Sequence, residues 1–328
     1  MAAEEFRRGD AVEVRGPEEI LATLDESGAL EGLPFMPEMV ALCGRSFTVD
    51  RRAERVCDTI RYTGTRRLHD AVLLDDLRCD GAAHGGCQAE CRFFWKEAWL
   101  RRPEGTPLSP PPVAAMAALR DRAVRGARTR VEVGGSAEER HRCQATELLR
   151  CTEHVPLWNA VSYAREVSCG NVGLGHFLKV MSRVVVEEPM RKLGLMDEIH
   201  LRGTAQKGVD PPRTDLQPGE YVRVRSREEI ARTLNPEGRN KGLWFDREML
   251  FYCGQVFRVR QRVRRFLDER DGKMVELKTD AITLEGVVCT GERSLRRWFC
   301  PRAILPYWRE SWLERVEQPT AVPAARSG

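Results

Sequence analysis

The chain has 328 residues, 42% hydrophobic and 31% charged, with a formal net charge of +4. That length allows two or three domains with cores of their own, in an ordinary globular composition. No run approaches the roughly 18 consecutive apolar residues of a membrane helix, and the slight positive charge argues against nucleic acid as a partner.

The N-terminal Met1-Ala2-Ala3-Glu4-Glu5-Phe6-Arg7-Arg8 lacks the apolar stretch of a secretory signal, so a cytoplasmic location is expected. Gly9-Asp10 then opens an alternating Val12-Glu13-Val14, the pattern of a strand after a turn. Residues 18–24 suit a short helix, because Ile20, Leu21 and Leu24 share a face. A glycine-punctuated loop leads to a helical turn at Glu38-Met39, stopped by Gly44. Phe47-Thr48-Val49 and Ala71-Val72-Leu73-Leu74 read as further strands, and the Trp-rich residues 95–100 as a last strand or turn. Residues 1–102 thus form a first β-rich domain. The Pro-rich residues 103–113 read as a stiff linker. A helical module is expected over 114–202, with helices at 114–125, 136–149, 158–167 and 175–193. Ser136 is the expected N-cap of the second of these, ahead of Glu138-Glu139. Residues 203–216 form a second linker, 217–317 a second β-rich domain, and 318–328 an expected disordered tail.

The two β-rich domains are copies of one sequence. An offset of 210 pairs Gly9 with Gly219 and runs without a gap to Cys79 and Cys289, giving 26 identities over 71 positions. Beyond Cys79 the offset becomes 213, aligning Cys87 with Cys300, Trp95 with Trp308 and Trp99 with Trp312. Several short strands in about 95 residues, opening on Gly-Asp-x-Val-x-Val, resemble an SH3-like β-barrel with a helical insertion. The expected fold class is therefore α+β: two duplicated SH3-like barrels flanking a helical module.

Four stretches are distinctive beyond the repeat. They are residues 32–39 (GLPFMPEM), residues 79–91 (CDGAAHGGCQAEC), Cys143-Gln144-Ala145-Thr146-Glu147-Leu148, and Phe299-Cys300-Pro301-Arg302 with Pro306-Tyr307-Trp308-Arg309-Glu310. Together they resemble a family of uncharacterised bacterial proteins over nearly the whole chain. The resemblance implies a setting among biosynthetic tailoring and glycosyl-transfer functions.

Eleven cysteines, an odd number, in a chain expected in a reducing compartment lean toward metal or redox chemistry. The strongest candidate set is Cys57, Cys79, Cys87 and Cys91, three of them in a glycine-rich loop that also holds His84. Thiolates ligate zinc and iron–sulfur clusters, and a flexible loop can wrap several of them around one centre. A [4Fe–4S] cluster is the expected cofactor, because Phe93, Phe94 and Trp95 follow the loop and would shield it. Zn²⁺ on four cysteines, or with His84 replacing one, is the alternative. The second copy keeps Cys289 and Cys300 but has Leu267 and Ile304 in place of Cys57 and Cys91. It could hold a partial second site, with Cys143 or Cys253 as further ligands.

The remaining features read as structural. Cys43 and Cys253 precede glycine at equivalent places and are expected in the cores, and Cys151 and Cys169 are expected to be structural. A nucleophile at Cys143 with His141 or His154 has no specified geometry. Residues 170–175 (GNVGLG) match neither phosphate-loop spacing and read as an interhelical turn. Arg258, Arg260, Arg262 and Arg264 alternate on a strand and read as a solvated face. Two function classes remain open. One is a cluster- or metal-dependent biosynthetic enzyme acting on a small-molecule substrate or with a redox partner. The other is a binding module held together by structural zinc, engaging protein or nucleic acid.

Overall fold

A computed structural model of the chain describes residues 5–103, 111–195, 201–205, 214–293 and 296–318. The protein is a mixed α/β structure with several antiparallel sheets. It divides into two compact units: residues 1–178 with 265–275 and 296–302, and residues 179–264 with 276–295 and 303–328. Most of both expected linkers and nearly all of the expected tail fall outside the described residues. Among the described residues, no helix is long and apolar enough to cross a membrane.

In the first unit a five-stranded sheet runs in the order Trp95–Lys96, Ala71–Leu74, Ser46–Arg52, Ala11–Val14, Leu100–Arg101. Val12 and Val14 point into the core, the alternation that makes this segment a strand. The helix Pro17–Thr23 starts on a proline and carries Glu18 and Glu19 in its first turn, both favourable at a helix N-terminus. The turn Pro37–Leu42 is a 3₁₀ helix, and Gly44 after it takes a positive φ of 75°. Phe35 sits edge-on to both Trp95 and Trp99, with ring centroids 6.3 and 5.1 Å away, and Trp99 Nε1 donates to Thr23 Oγ1 at 3.0 Å.

The second unit repeats this register. Ala11↔Thr48, Val12↔Phe47 and Glu13↔Ser46 recur as Tyr221↔Arg258, Val222↔Phe257 and Arg223↔Val256. Glu13↔Arg101 and Val14↔Leu100 recur as Arg223↔Glu314 and Val224↔Leu313. The first group keeps the offset of 210, and in the second the later strand keeps 213. Phe245 meets Trp308 and Trp312 edge-on at 5.9 and 5.2 Å, and Trp312 Nε1 donates to Thr233 Oγ1 at 2.9 Å. A buried ion pair recurs as well: Arg52 Nη1 to Glu97 Oε1, and Arg262 Nη1 to Glu310 Oε1, each at 2.6 Å.

The middle of the chain differs from a purely helical module. Helices occupy Val113–Gly126, Ala160–Ser168 and Leu174–Lys192. The helix expected over 136–149 is instead the strand Ser136–His141, paired with Arg128–Val133, followed by the short helix Leu148–Cys151. Gly134 and Gly135, both at positive φ, form the two-residue turn that sets this hairpin, and the pairing overrides the N-cap pattern at Ser136. Residues up to 178 belong to the first unit rather than to a domain of their own. Leu119, Ala123 and Leu148 enter the core built by the first repeat.

Candidate metal centre

The loop after the strand Ala71–Leu74 is folded by its glycines. Gly81 takes a positive φ of 72°, and a Cβ there would lie 1.9 Å from the Cys87 carbonyl oxygen, so only glycine fits. The turn Ala82–His84 follows, and the N–H groups of His84 and Gly86 both donate to the Gly81 carbonyl. The two ends of the loop are held together by the Cys79 N–H, which donates to the Cys91 carbonyl at 2.9 Å. This places Cys79, Cys87 and Cys91 around one cavity.

A fourth cysteine reaches the same cavity from outside the repeat. Gln144 grips Phe94 at both backbone groups: Phe94 N donates to its Oε1 at 2.8 Å, and its Nε2 donates to Phe94 O at 2.9 Å. The same Nε2 donates to Pro34 O at 3.0 Å. This buried amide fixes the adjacent Cys143, whose own N–H donates to Thr146 Oγ1 at 2.9 Å. Met36, Phe93, Phe94 and Leu267 supply apolar wall, and Arg302 lines the cavity as well.

The electrostatics of the thiols are interdependent. Burial pushes Cys91 up to about 12 and Cys143 up to about 11, and lifts Cys79 well above the ordinary thiol range. Glu38 and the thiols of Cys91 and Cys143 push Cys79 further in the same direction, while Glu269 and Cys87 do so for Cys91 and Cys143. Without a cation such a group of thiols stays protonated, whereas a metal inverts the preference and holds thiolates. Two sulfurs already accept backbone N–H groups: Gly81 N to Cys79 Sγ at 3.3 Å, and Leu267 N to Cys87 Sγ at 3.4 Å.

A carboxylate–imidazole pair borders the set. Glu38 Oε1 lies 3.2 Å from His84 Nδ1 and 3.6 Å from Cys79 Sγ, and it accepts Ala83 N at 3.1 Å. Glu38 Oε2 and His84 Nε2 are buried without a hydrogen-bond partner. Among the described residues, Glu38, Cys79 and His84 form a group of three whose ligand atoms lie within 4.8 Å of one another. The four cysteines share the cavity at wider spacing.

Of the expected ligand set, then, Cys79, Cys87 and Cys91 line this cavity, and Cys57 is not among its lining residues. Cys57 ends the strand Val56–Cys57, and its N–H donates to Cys300 Sγ at 3.2 Å. Of the residues named for a partial second site, Cys300 and Cys143 belong to the first unit and Cys289 to the second. Cys289 N donates to Ile304 O at 2.8 Å, the bond that Cys79 makes with Cys91. Glu248, the counterpart of Glu38, accepts Thr290 N at 3.2 Å and Thr290 Oγ1 at 2.8 Å, and also Arg293 N. His154 is exposed on the strand Glu153–Val155. Asn171, in the turn at 170–175, is a latch: its side chain pairs with both backbone groups of Arg52. Arg258, Arg262 and Arg264 engage acidic side chains.

Comparison with protein-family models, with curated proteins and with solved structures gave no match.

Proposed function

We propose that the protein binds a [4Fe–4S] cluster through Cys79, Cys87, Cys91 and Cys143, and acts as an iron–sulfur redox protein in a bacterial biosynthetic reaction. One observation carries this reading: four thiols from two separate chain segments line a single cavity, and no three of them bring their sulfurs within 4.8 Å of one another. Tetrahedral zinc at about 2.3 Å from each sulfur would hold its thiolates roughly 3.8 Å apart. A cubane spreads them, because each thiolate binds a different iron. The residues fit the group: N–H donors already face two sulfurs, and Met36, Phe93 and Phe94 would keep water from a cluster. Such a cluster supplies one-electron chemistry, with a potential tuned by those hydrogen bonds and by the dry wall. The partner would be a small-molecule substrate or a redox protein, as the family resemblance also implies.

The two repeats are read as SH3-like barrels, supported by the shared strand register and the shared Phe–Trp–Trp core. In this reading they are scaffold, and the chemistry sits on loops of the first.

A second reading has its own support. Glu38, Cys79 and His84 are close enough for a single zinc ion, with the barrels serving as a binding module. Metal analysis of protein purified without oxygen separates the two. The cluster predicts brown protein with broad visible absorbance and about four irons per chain. Colourless protein with one tightly held zinc would favour the second reading, and metal-free, folded protein would overturn both.

A further inference from the structure

A second thiol pair lies outside the four-thiol cavity. Cys57 and Cys300 belong to the same compact unit, and neither is in a disulfide. The Cys57 N–H donates to Cys300 Sγ at 3.2 Å, which brings the two residues into contact. Both are buried, with exposures of 4% and 6%. Arg302 Nη1 donates to the Cys57 carbonyl at 3.3 Å and to Thr59 Oγ1 at 2.8 Å, while its Nη2 binds Glu269 Oε1 at 2.6 Å.

The charge of a third residue near this pair is otherwise unexplained. Arg55 is fully buried, and its guanidinium donates to Ser162 Oγ at 2.6 Å, Tyr163 Oη at 3.1 Å and Trp298 O at 3.5 Å. It lies over the Tyr163 ring, 3.9 Å from its centroid. Among the described residues no carboxylate reaches it as an ion pair. Burial pushes the nearby Glu166 carboxyl up to about 8, so that group is mostly neutral at pH 7. A buried guanidinium without a carboxylate needs a counter-charge. After Tyr163 and Glu166, Cys300 also acts electrostatically on Arg55, which puts this guanidinium close to the pair. The neighbouring Cys300, and then Arg302 and Arg297, draw the Cys57 thiol below its ordinary value. An electropositive setting of this kind is what makes a cysteine reactive.

We propose that Cys57 and Cys300 form a reversible dithiol–disulfide couple oxidised by hydrogen peroxide, with Cys57 attacking and Cys300 resolving. In the first step the Cys57 thiolate attacks one peroxide oxygen. An S–O bond forms, the O–O bond breaks, and hydroxide leaves to take a proton from solvent. Sulfur is oxidised to the sulfenic acid and the peroxide is reduced. In the second step Cys300 sulfur attacks Cys57 sulfur, an S–S bond forms, the S–O bond breaks, and water leaves with the thiol proton. The shallow exposure selects a small uncharged oxidant over a bulky disulfide. Arg302 also lines the four-thiol cavity, so the couple lies one side chain away from it. The inference stands on the thiol pair and its arginines and does not require a cluster.

The test uses the full chain, its iron content measured first so that the cluster reading is judged separately. The protein is treated with one equivalent of hydrogen peroxide, its remaining thiols are alkylated under denaturing conditions, and its peptides are mapped by mass. Cys57 and Cys300 peptides should go from unlinked to mostly linked, and should separate again with a dithiol reductant. Cys43, buried and pushed up to about 11, should stay free in the same digest. In Cys300→Ser, Cys57 should instead be trapped by dimedone as the sulfenic acid. Recovery of both peptides as free thiols, or linkage confined to Cys79, Cys87, Cys91 and Cys143, would overturn the proposal. So would an absence of the dimedone adduct at Cys57 in the variant.

Discussion

The two repeats share a frame and differ in what the frame carries. In each, the same strands pair at the same positions, one phenylalanine sits between two tryptophans, and an Arg–Glu pair ties the middle strand to the closing 3₁₀ turn. The first repeat then places three cysteines on the loop at 79–91 and receives a fourth from Cys143. The second repeat keeps the hydrogen bond that closes the loop but has Ile304 where the first has Cys91. Its Glu248 is spent on capping Thr290. The site is therefore a loop-borne addition, completed by a segment outside the repeat.

If that is right, cysteine substitutions should divide the repeats most sharply. Replacing Cys79, Cys87, Cys91 or Cys143 by Ser should remove nearly all bound iron, whereas Cys253→Ser and Cys289→Ser should remove none. Iron and sulfide analysis of anaerobically purified variants measures this. Equal iron loss from Cys289→Ser would break the comparison.

The shared frame predicts equal costs in place of unequal ones. Phe35→Ala and Phe245→Ala should each destabilise their own unit by about 3–5 kcal/mol, because each vacates the space between two buried tryptophans. Denaturant titration followed by tryptophan fluorescence would read the cost. A cost confined to one repeat would show that the cores are not equivalent.

A finer contrast lies in the duplicated ion pair. The side chains of Arg52 and Glu97 are 4% and 2% exposed, whereas those of Arg262 and Glu310 are 16% and 13% exposed. Removing one partner of a pair costs more as burial deepens. Glu97→Gln should therefore cost about 3 kcal/mol, and Glu310→Gln about 1 kcal/mol, in the same titration. The reverse order would mean that burial does not set the difference.

A pH-dependent effect comes from Glu166, on the helix Ala160–Ser168 outside both repeats. Its folded carboxyl is raised to about 8 by burial, against an ordinary value of 4.5. The stability it contributes is thus fully present below about pH 4.5 and is lost as pH rises through about 8. Glu166→Gln keeps the neutral form at every pH. It should match the parent near pH 4 and exceed it by on the order of 2 kcal/mol near pH 8. Melting curves of both proteins that stay parallel across this range would contradict the assignment.

Much of the frame was legible in the sequence, because duplication writes each strand twice. The alternation at Val12 and Val14, the shift of offset after Cys79 and the Trp pair all reappear as register and packing. The hairpin at 128–141 was missed because Ser136-Ala137-Glu138-Glu139 carries a helix-start pattern, and the Gly134-Gly135 turn outweighs it. The loop cysteines were legible because they lie close together in the chain. Nothing local in the sequence marks Cys143 for this cavity, since what brings it there is the grip of Gln144 on Phe94, a tertiary contact. Cys57 misled for the converse reason. Its neighbour Cys300 is 243 positions away, a distance at which sequence gives no sign of contact.

The most direct test compares iron content in Cys57→Ser and Cys143→Ser, each purified without oxygen beside the parent. Cys57→Ser should keep about four irons per chain and the parent's visible spectrum, while Cys143→Ser should lose both. Retention of iron by Cys143→Ser together with its loss from Cys57→Ser would contradict the four-thiol centre described above.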